Sequence, residues 1–470
     1  MLRTLVTVLA LSAGDAPTRG DDAAAAGPLS LGEVLAAADL AFPSLLAARA
    51  DVDDADGERL TAAGGFDPTW RTRAVGVPVS GYPQVRVDSV VEAPTPLWGA
   101  SFFAGYRWGG GTIQDYYAAR ETWTAGEVRA GASVPLVRNG PIDKRRAALA
   151  KAELGQRFAG LSLEQARLEV ARLAAVRYWD WVAAGRKREV ARGLLQLAKD
   201  RDAQLGTRAR VGEVAVFDQQ DNLRALVQRE ALLVQSQRAV ENAAFELSLY
   251  LRGGDGEPVL PDDARMPSAL PSPEPSMLER ADVGAALARR PDVQRLETKR
   301  QQLDVELRLQ RNQLLPGLDV GMAVSKDLGG PPRAEASKLG PVELEVNAVL
   351  DVPLLYRAPL GRVQSARAEL SKLDAQLRLA RDRVAVDVRD ATSALGAALE
   401  RARLAQREVQ VAELLERGER TRFTLGDSTL LFVNLREQTT AEARLREVDA
   451  LSDSQKAAAA LRLALAEPLR

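Results

Sequence analysis

From Pro141 to about Leu205 the chain loses its turn residues and stays compatible with helix, and from Pro359 to about Arg420 it does so again. A helix of 65 residues is a rod of ~98 Å at 1.5 Å per residue. Compact domains have no use for helices that long, so two such stretches restrict the chain to an extended architecture. Asn139 and Gly140 read as a cap, with Pro141 at the first helical position, where no backbone donor is needed. The spacing of apolar residues indicates how the rods are held. Leu154, Phe158, Leu161, Leu168, Ala175, Trp179 and Val182 follow a heptad seam, and Leu163, Ala166, Val170 and Leu173 form a second. After a turn, Leu223, Leu226, Leu233, Val240, Ala244, Leu247 and Leu251 keep the rhythm. Leu370, Leu373, Leu377, Ala380, Val384, Ala391, Ala394, Ala398 and Ala405 keep it in the later stretch. That spacing predicts coiled-coil packing. Two seams on one helix imply two neighbours, as for the staves of a cylinder; an antiparallel hairpin in a solid bundle satisfies the same pattern.

The long stretches belong to a larger duplication. Residues 42–49 (FPSLLAAR) resemble residues 290–297 (RPDVQRLE), and Pro43 and Pro68 recur as Pro291 and Pro316, each 248 residues later. Residues 133–142 (SVPLVRNGPI) match 351–360 (DVPLLYRAPL) at an offset of 218, and 207–213 (TRARVGE) match 421–427 (TRFTLGD) at 214. The matches keep their order. The fall from 248 to 218 places 30 extra residues in the first copy, between Pro68 and Pro135. The organisation expected is a signal peptide and disordered start at 1–26, a first repeat at 27–251, a proline-rich linker at 252–276 and a second repeat at 277–470.

Between short and long helices the sequence changes character. Of the 22 aromatic residues, 11 fall between Phe66 and Trp123, among them Trp70, Trp98, Phe102, Tyr106, Trp108, Tyr116, Tyr117 and Trp123. Apolar and polar residues alternate in 70–77, 127–134, 318–324 and 342–350. These read as strands of about ten residues, of the kind that cross an outer membrane with aromatic rings at the two interfaces. Two strand pairs cannot close a barrel alone, so several copies would have to contribute. A soluble β-domain with a large core accounts for the aromatic cluster equally well.

Composition narrows the chemistry. The 470 residues contain no histidine and no cysteine and carry a net charge of −1. Ser-His-Asp triads, imidazole bases, thiolate nucleophiles, disulfides, iron–sulfur clusters and a lipidated N-terminal cysteine are therefore excluded. The balanced charge argues against a nucleic-acid partner. No catalytic, cofactor-binding or metal-binding residues are assigned, and an enzyme is not expected. Arg3 followed by the apolar run to Ala13 fits a secretory signal that is too short to span a bilayer.

The doubled plan, the long helices that follow a proline and the paired Thr-Arg-x-x-x-Gly turns together resemble the TolC-like outer-membrane efflux protein family, over about residues 28–469. The resemblance implies a mainly α fold with a membrane β-barrel portion: long helical hairpins forming an α-barrel, and four strands per chain contributing to a trimeric 12-stranded barrel. It implies a homotrimer in outer-membrane lipid with a periplasmic helical barrel. The partners it implies are a periplasmic adaptor (membrane fusion) protein and an inner-membrane pump of a tripartite efflux or type I secretion system, with no cofactor. Thr207, Arg208, Gly212, Thr421, Arg422 and Gly426 become the docking tips, and Trp70, Trp98, Phe102, Tyr106, Trp108 and Trp123 the barrel aromatics. Acids are expected six and nine residues after the second glycine, but these positions are Phe432 and Leu435, while Asp218 and Asp221 hold the matching places after the first. An arginine expected two residues after the glycine is Ser428. The expectation is an apolar constriction of Phe432 and Leu435 with Asp218 and Asp221 nearby. A soluble periplasmic coiled-coil adaptor or scaffold is the alternative reading.

Overall fold

In the computed structural model the described residues are 27–111, 122–210, 216–331 and 340–469; side chains are further undescribed at 208–210 and 216–218. The expected signal segment, Tyr116, Tyr117 and Gly212 lie outside them. Four helices dominate: α3 (Lys144–Arg210), α4 (Val216–Ser248), α8 (Arg357–Thr424) and α9 (Leu430–Ala464). At 67 and 68 residues, α3 and α8 are rods of ~100 Å. Each is flanked by two shorter helices stacked end to end, α3 by α2 (Pro43–Ala63) and then α4, α8 by α7 (Pro291–Asn312) and then α9. Because α3 also packs on α7 and α9, the helices form one layer, α2–α3–α7–α8 near the strands and α4–α3–α9–α8 beyond. Among the described residues no single helix is long and apolar enough to cross a membrane.

The helix starts and seams differ in detail from the sequence reading. Pro141 does not open α3. Asp143 caps it instead, accepting from the Arg146 N–H at 2.9 Å through Oδ1, while Asn139 turns the chain with φ +70°. On α8 the buried positions are Val363, Ala366, Leu373, Leu377, Val384, Val388, Ala391, Leu395, Ala398, Ala402, Ala405, Val409 and Ala412, spaced by three, four or seven residues. Ala394 faces out. On α4 the seam is shifted by one residue near the tip: Asn222, Arg229 and Ser236 are buried, and Leu223 is exposed. One core cluster joins α1 (Leu31–Ala41) to α3 and α4 through Val34, Tyr178, Trp181 and Leu247. A second joins α5 (Ser276–Glu279), α6 (Val283–Arg289) and α7 to α8 and α9 through Leu278, Ala286, Val293, Val384, Leu395 and Leu461.

The strands form one antiparallel sheet in chain order: β1 (Thr69–Val77), β2 (Gln84–Pro94), β3 (Ser101–Gly111), β4 (Glu127–Pro135), β5 (Gly317–Asp327) and β6 (Val342–Asp351). Among the described residues the sheet has six strands, where four were expected. The additional hairpin, β2–β3, occupies the stretch in which the first half of the chain is longer. Its turn is tight: the Ala100 N–H donates to the Leu97 carbonyl at 2.9 Å, and Trp98 and Gly99 both have positive φ, as a type I′ hairpin turn requires.

Candidate functional site

Side chains alternate across the pleat, and the cross-strand register sorts most of the large apolar and charged ones to opposite faces, with Val75, Val90, Phe103 and Val349 on the charged side and Lys326 on the apolar one. One face gathers Trp70, Val87, Val91, Phe102, Tyr106, Trp108, Val128, Val320, Met322, Val324, Leu344, Val346 and Leu350. The other gathers Arg71, Arg73, Arg86, Asp88, Arg107, Glu127, Arg129, Glu343, Glu345 and Asp351. No second layer covers the apolar face among the described residues; Trp70 is 78% exposed and Val346 66%. The charged face is organised across strands. Asp88 accepts from Arg129 Nη2 at 2.7 Å through both carboxylate oxygens, Glu127 accepts from Arg107 Nε at 2.7 Å, and Arg138 reaches Asp351.

The aromatic residues sort by height. Trp70 and Phe102 lie towards the helix-proximal ends of β1 and β3, with Trp98 in the turn below. Tyr106 and Trp108 lie towards the far end, where Trp123 precedes β4. Six residues from Phe102 to Trp108 separate the groups by ~20 Å. Two of their polar atoms are bonded: Trp70 Nε1 donates to Ser89 Oγ at 2.7 Å and the Tyr106 hydroxyl to the Ala125 carbonyl at 2.8 Å.

The opposite end of the molecule carries the helical tips. The α8–α9 tip closes with a Schellman cap: Gly426, at φ +83°, donates to the Phe423 carbonyl at 3.1 Å, and Asp427 donates to the Arg422 carbonyl at 2.9 Å. Arg422 holds the turn from its side, its Nη2 donating to the Asp427 carbonyl at 3.1 Å. Ser428 Oγ donates to Glu419 Oε1 at 2.5 Å. Thr207 lies near the end of α3 and Thr421 near the end of α8, each hydroxyl donating to the carbonyl four residues earlier at 3.0 Å. Arg208 falls on the last turn of α3 and Asp218 on the first of α4, but their side chains lie outside the described residues.

Phe432 and Leu435, each 51% exposed, share the face of α9 turned away from Leu430, Val433 and Glu437. Leu435 and Asp221 line the same cavity of about 500 Å³ between α4 and α9, and Phe432 does not. Asp221 pairs with Arg224 at 3.1 Å.

Sequence reasoning missed the cluster beneath this cavity. Glu437, fully buried, receives Arg201 from α3, Arg229 Nη2 from α4 at 3.1 Å and Arg420 Nη2 from α8 at 3.0 Å. All four long helices therefore meet on one carboxylate. Desolvation pushes its pKa up, but the hydrogen bonds and charges of the three arginines outweigh this and hold it below the usual carboxylate range. The available signal was an acid on the buried seam Leu430, Val433, Glu437, Ala441.

No family model and no curated protein matches the sequence, but solved structures do match the fold. VceC, an outer membrane protein of Vibrio cholerae, superposes with a TM-score of 0.63 at 18% identity, covering 93% of this chain and 96% of that one. The MtrE outer membrane channel of Neisseria gonorrhoeae, in its open state, gives 0.63 at 15% identity over 93% and 89%. The CmeC outer membrane channel of Campylobacter jejuni gives 0.61 at 13% over 93% and 85%. The chain has the fold of these TolC-like outer-membrane channels, over nearly its whole length.

Proposed function

We propose that the chain is the subunit of a trimeric outer-membrane channel, a passive export duct with a periplasmic helical barrel. The observation that carries this is the two-faced sheet on a layer of ~100 Å helices. An exposed apolar face with aromatic rings at two heights suits lipid surroundings, and a charged face suits an aqueous lumen. The helix layer is open at both edges. There, α8 presents Leu379, Val386, Leu404 and Val411, and α4 presents Leu223, Val227 and Val234, all exposed. Their spacing is that of further seams, so α8 of one copy meets α4 of the next and a cylinder closes.

In this reading Trp70, Trp98, Phe102, Tyr106, Trp108 and Trp123 sit at the membrane interfaces. Phe432 and Leu435, with Asp218 and Asp221, narrow the duct near its tips, where an apolar ring gates by dewetting. The tip residues Thr207, Arg208, Gly212, Thr421, Arg422 and Gly426 dock a periplasmic adaptor, which connects the duct to an inner-membrane pump of a tripartite efflux or type I secretion system. The duct performs no chemistry of its own. A soluble periplasmic adaptor would leave the apolar sheet face without a partner. The test is fractionation of expressing cells with unheated and heated gel electrophoresis: the chain should enter the outer membrane and run as a heat-dissociable trimer. A purely soluble monomer would remove the proposal.

A further inference from the structure

The cavity of about 500 Å³ between α4 and α9 falls in the size range that takes a small organic molecule. Its walls come from two different hairpins, α4 from the first and α9 from the second, and Leu194 of α3 joins them. Leu194, Leu232, Leu431 and Leu445 give it an apolar body. The walls are fixed before any ligand arrives, because Arg229 of α4, which lines the cavity, donates to Glu437 of α9 at 3.1 Å.

The polar groups name the ligand. Of the charged side chains that line the cavity, Asp221 and Arg224 pair with each other at 3.1 Å, and Arg229 pairs with Glu437. The remaining one, Glu442, is exposed, accepts from Gln438 Nε2 at 3.0 Å and has no ion pair among the described residues. Asn434, also in the lining, supplies a donor. Its Oδ1 is taken by Arg201, while its buried Nδ2 has no hydrogen-bond partner among the described residues. An uncompensated carboxylate, an unused amide donor and an apolar body together select one chemical class. We propose that the cavity binds an amphipathic organic cation that also carries a hydrogen-bond acceptor, its cationic end at Glu442 and its apolar rings against Leu194, Leu232, Leu431 and Leu445. An anion of the same size meets Glu442 with the wrong sign. The bound molecule touches both hairpins at once, so it favours the arrangement in which α4 and α9 stand at this separation. One consequence rests on the channel reading above: Leu435 lines both the cavity and the narrow end of the duct, so an occupied cavity lowers the current.

Rhodamine 6G, an aromatic monocation with an ester carbonyl, is a suitable probe. It is titrated against the purified protein in detergent and read by fluorescence polarisation, with detergent alone subtracted. Binding should saturate at one molecule per subunit. Glu442→Gln should weaken it about fivefold, the size of one charge contact in water. Ala225→Trp, which fills the cavity from α4 without removing a charge, should abolish it. Fluorescein, an anion with a similar ring system, should bind weakly to the original protein and gain affinity in Glu442→Lys, a gain that misfolding cannot produce. Uptake that never saturates, or binding unchanged in both Glu442→Gln and Ala225→Trp, would overturn the site and leave the channel reading standing. A bilayer current unaltered by saturating rhodamine 6G would overturn the effect on the duct. Saturable binding that these variants weaken, in a protein that never conducts, would uphold the site and overturn the channel reading.

Discussion

Glu437 ties the four long helices together near the tips. Its carboxylate accepts from arginines of α3, α4 and α8 while itself sitting on α9, so its removal leaves the guanidinium groups of Arg201 and Arg229, largely buried, without their charge partner, while Arg420 keeps Glu416. Truncation of one partner in a buried charge cluster costs about 3–5 kcal/mol. Glu437→Ala should therefore unfold the tip-proximal helices at lower temperature, with a loss of about that size in denaturation followed by circular dichroism. Glu437→Gln should lose less. The pH dependence has a definite sign. The folded pKa is lowered, so the stabilisation is present above the unfolded value of about 4.3 and is lost as pH falls through the lower folded value. Hydrogen exchange in α3 and α9 around Arg201 and Glu437 should be unchanged from pH 8 to 6 once corrected for intrinsic rates, and protection should weaken below about pH 4. Loss of protection between pH 8 and 6 would contradict the assignment. This cluster was not legible from apolar spacing, because a search for hydrophobic seams skips a charged position. Asn222, Arg229 and Ser236 were passed over for the same reason, although they form the buried side of α4 near its tip.

At the scale of elements, the long helices were the most legible feature, since 67 residues of repeating spacing leave no competing structure. Their starts were less so: Asp143, two residues past the proline, supplies the side-chain acceptor that proline lacks. The hairpin β2–β3 was missed because two weak signals overlap there. The β3 sequence SFFAGYRWGGG contains four glycines, which read as turn or bulge, and its neighbour QVRVDSVVEAP ends in proline. Cross-strand pairing supplies what local preference does not. The glycine of the second tip was readable, and its cap geometry makes a specific forecast. Gly426 is left-handed, and the space a Cβ would occupy there is open, with no neighbouring atom within 4 Å. Substitution is therefore limited by backbone preference rather than by space. Gly426→Ala should cost about 1–2 kcal/mol and Gly426→Asn less, read as faster hydrogen exchange across residues 421–430 with no change in the sheet. Equal exchange in all three proteins would show that the cap does not hold the turn.

At the scale of the whole molecule, a single copy is unfinished in two places: the sheet ends on unpaired edges, and the helix layer ends on the apolar faces of α4 and α8. In the proposed channel both deficits are met by the same operation, the addition of further copies side by side. The heptad seams made neighbouring helices legible in the sequence, and the alternation in β6 made a two-sided wall legible. The number of strands needed the register of the whole sheet. The most direct measurement is the current through a planar lipid bilayer after addition of the purified oligomer. The account predicts discrete, long-lived conductance steps, larger when Phe432→Ala is combined with Leu435→Ala at the narrow end. Insertion without any conducting state, in the original protein and in the double variant alike, would contradict it.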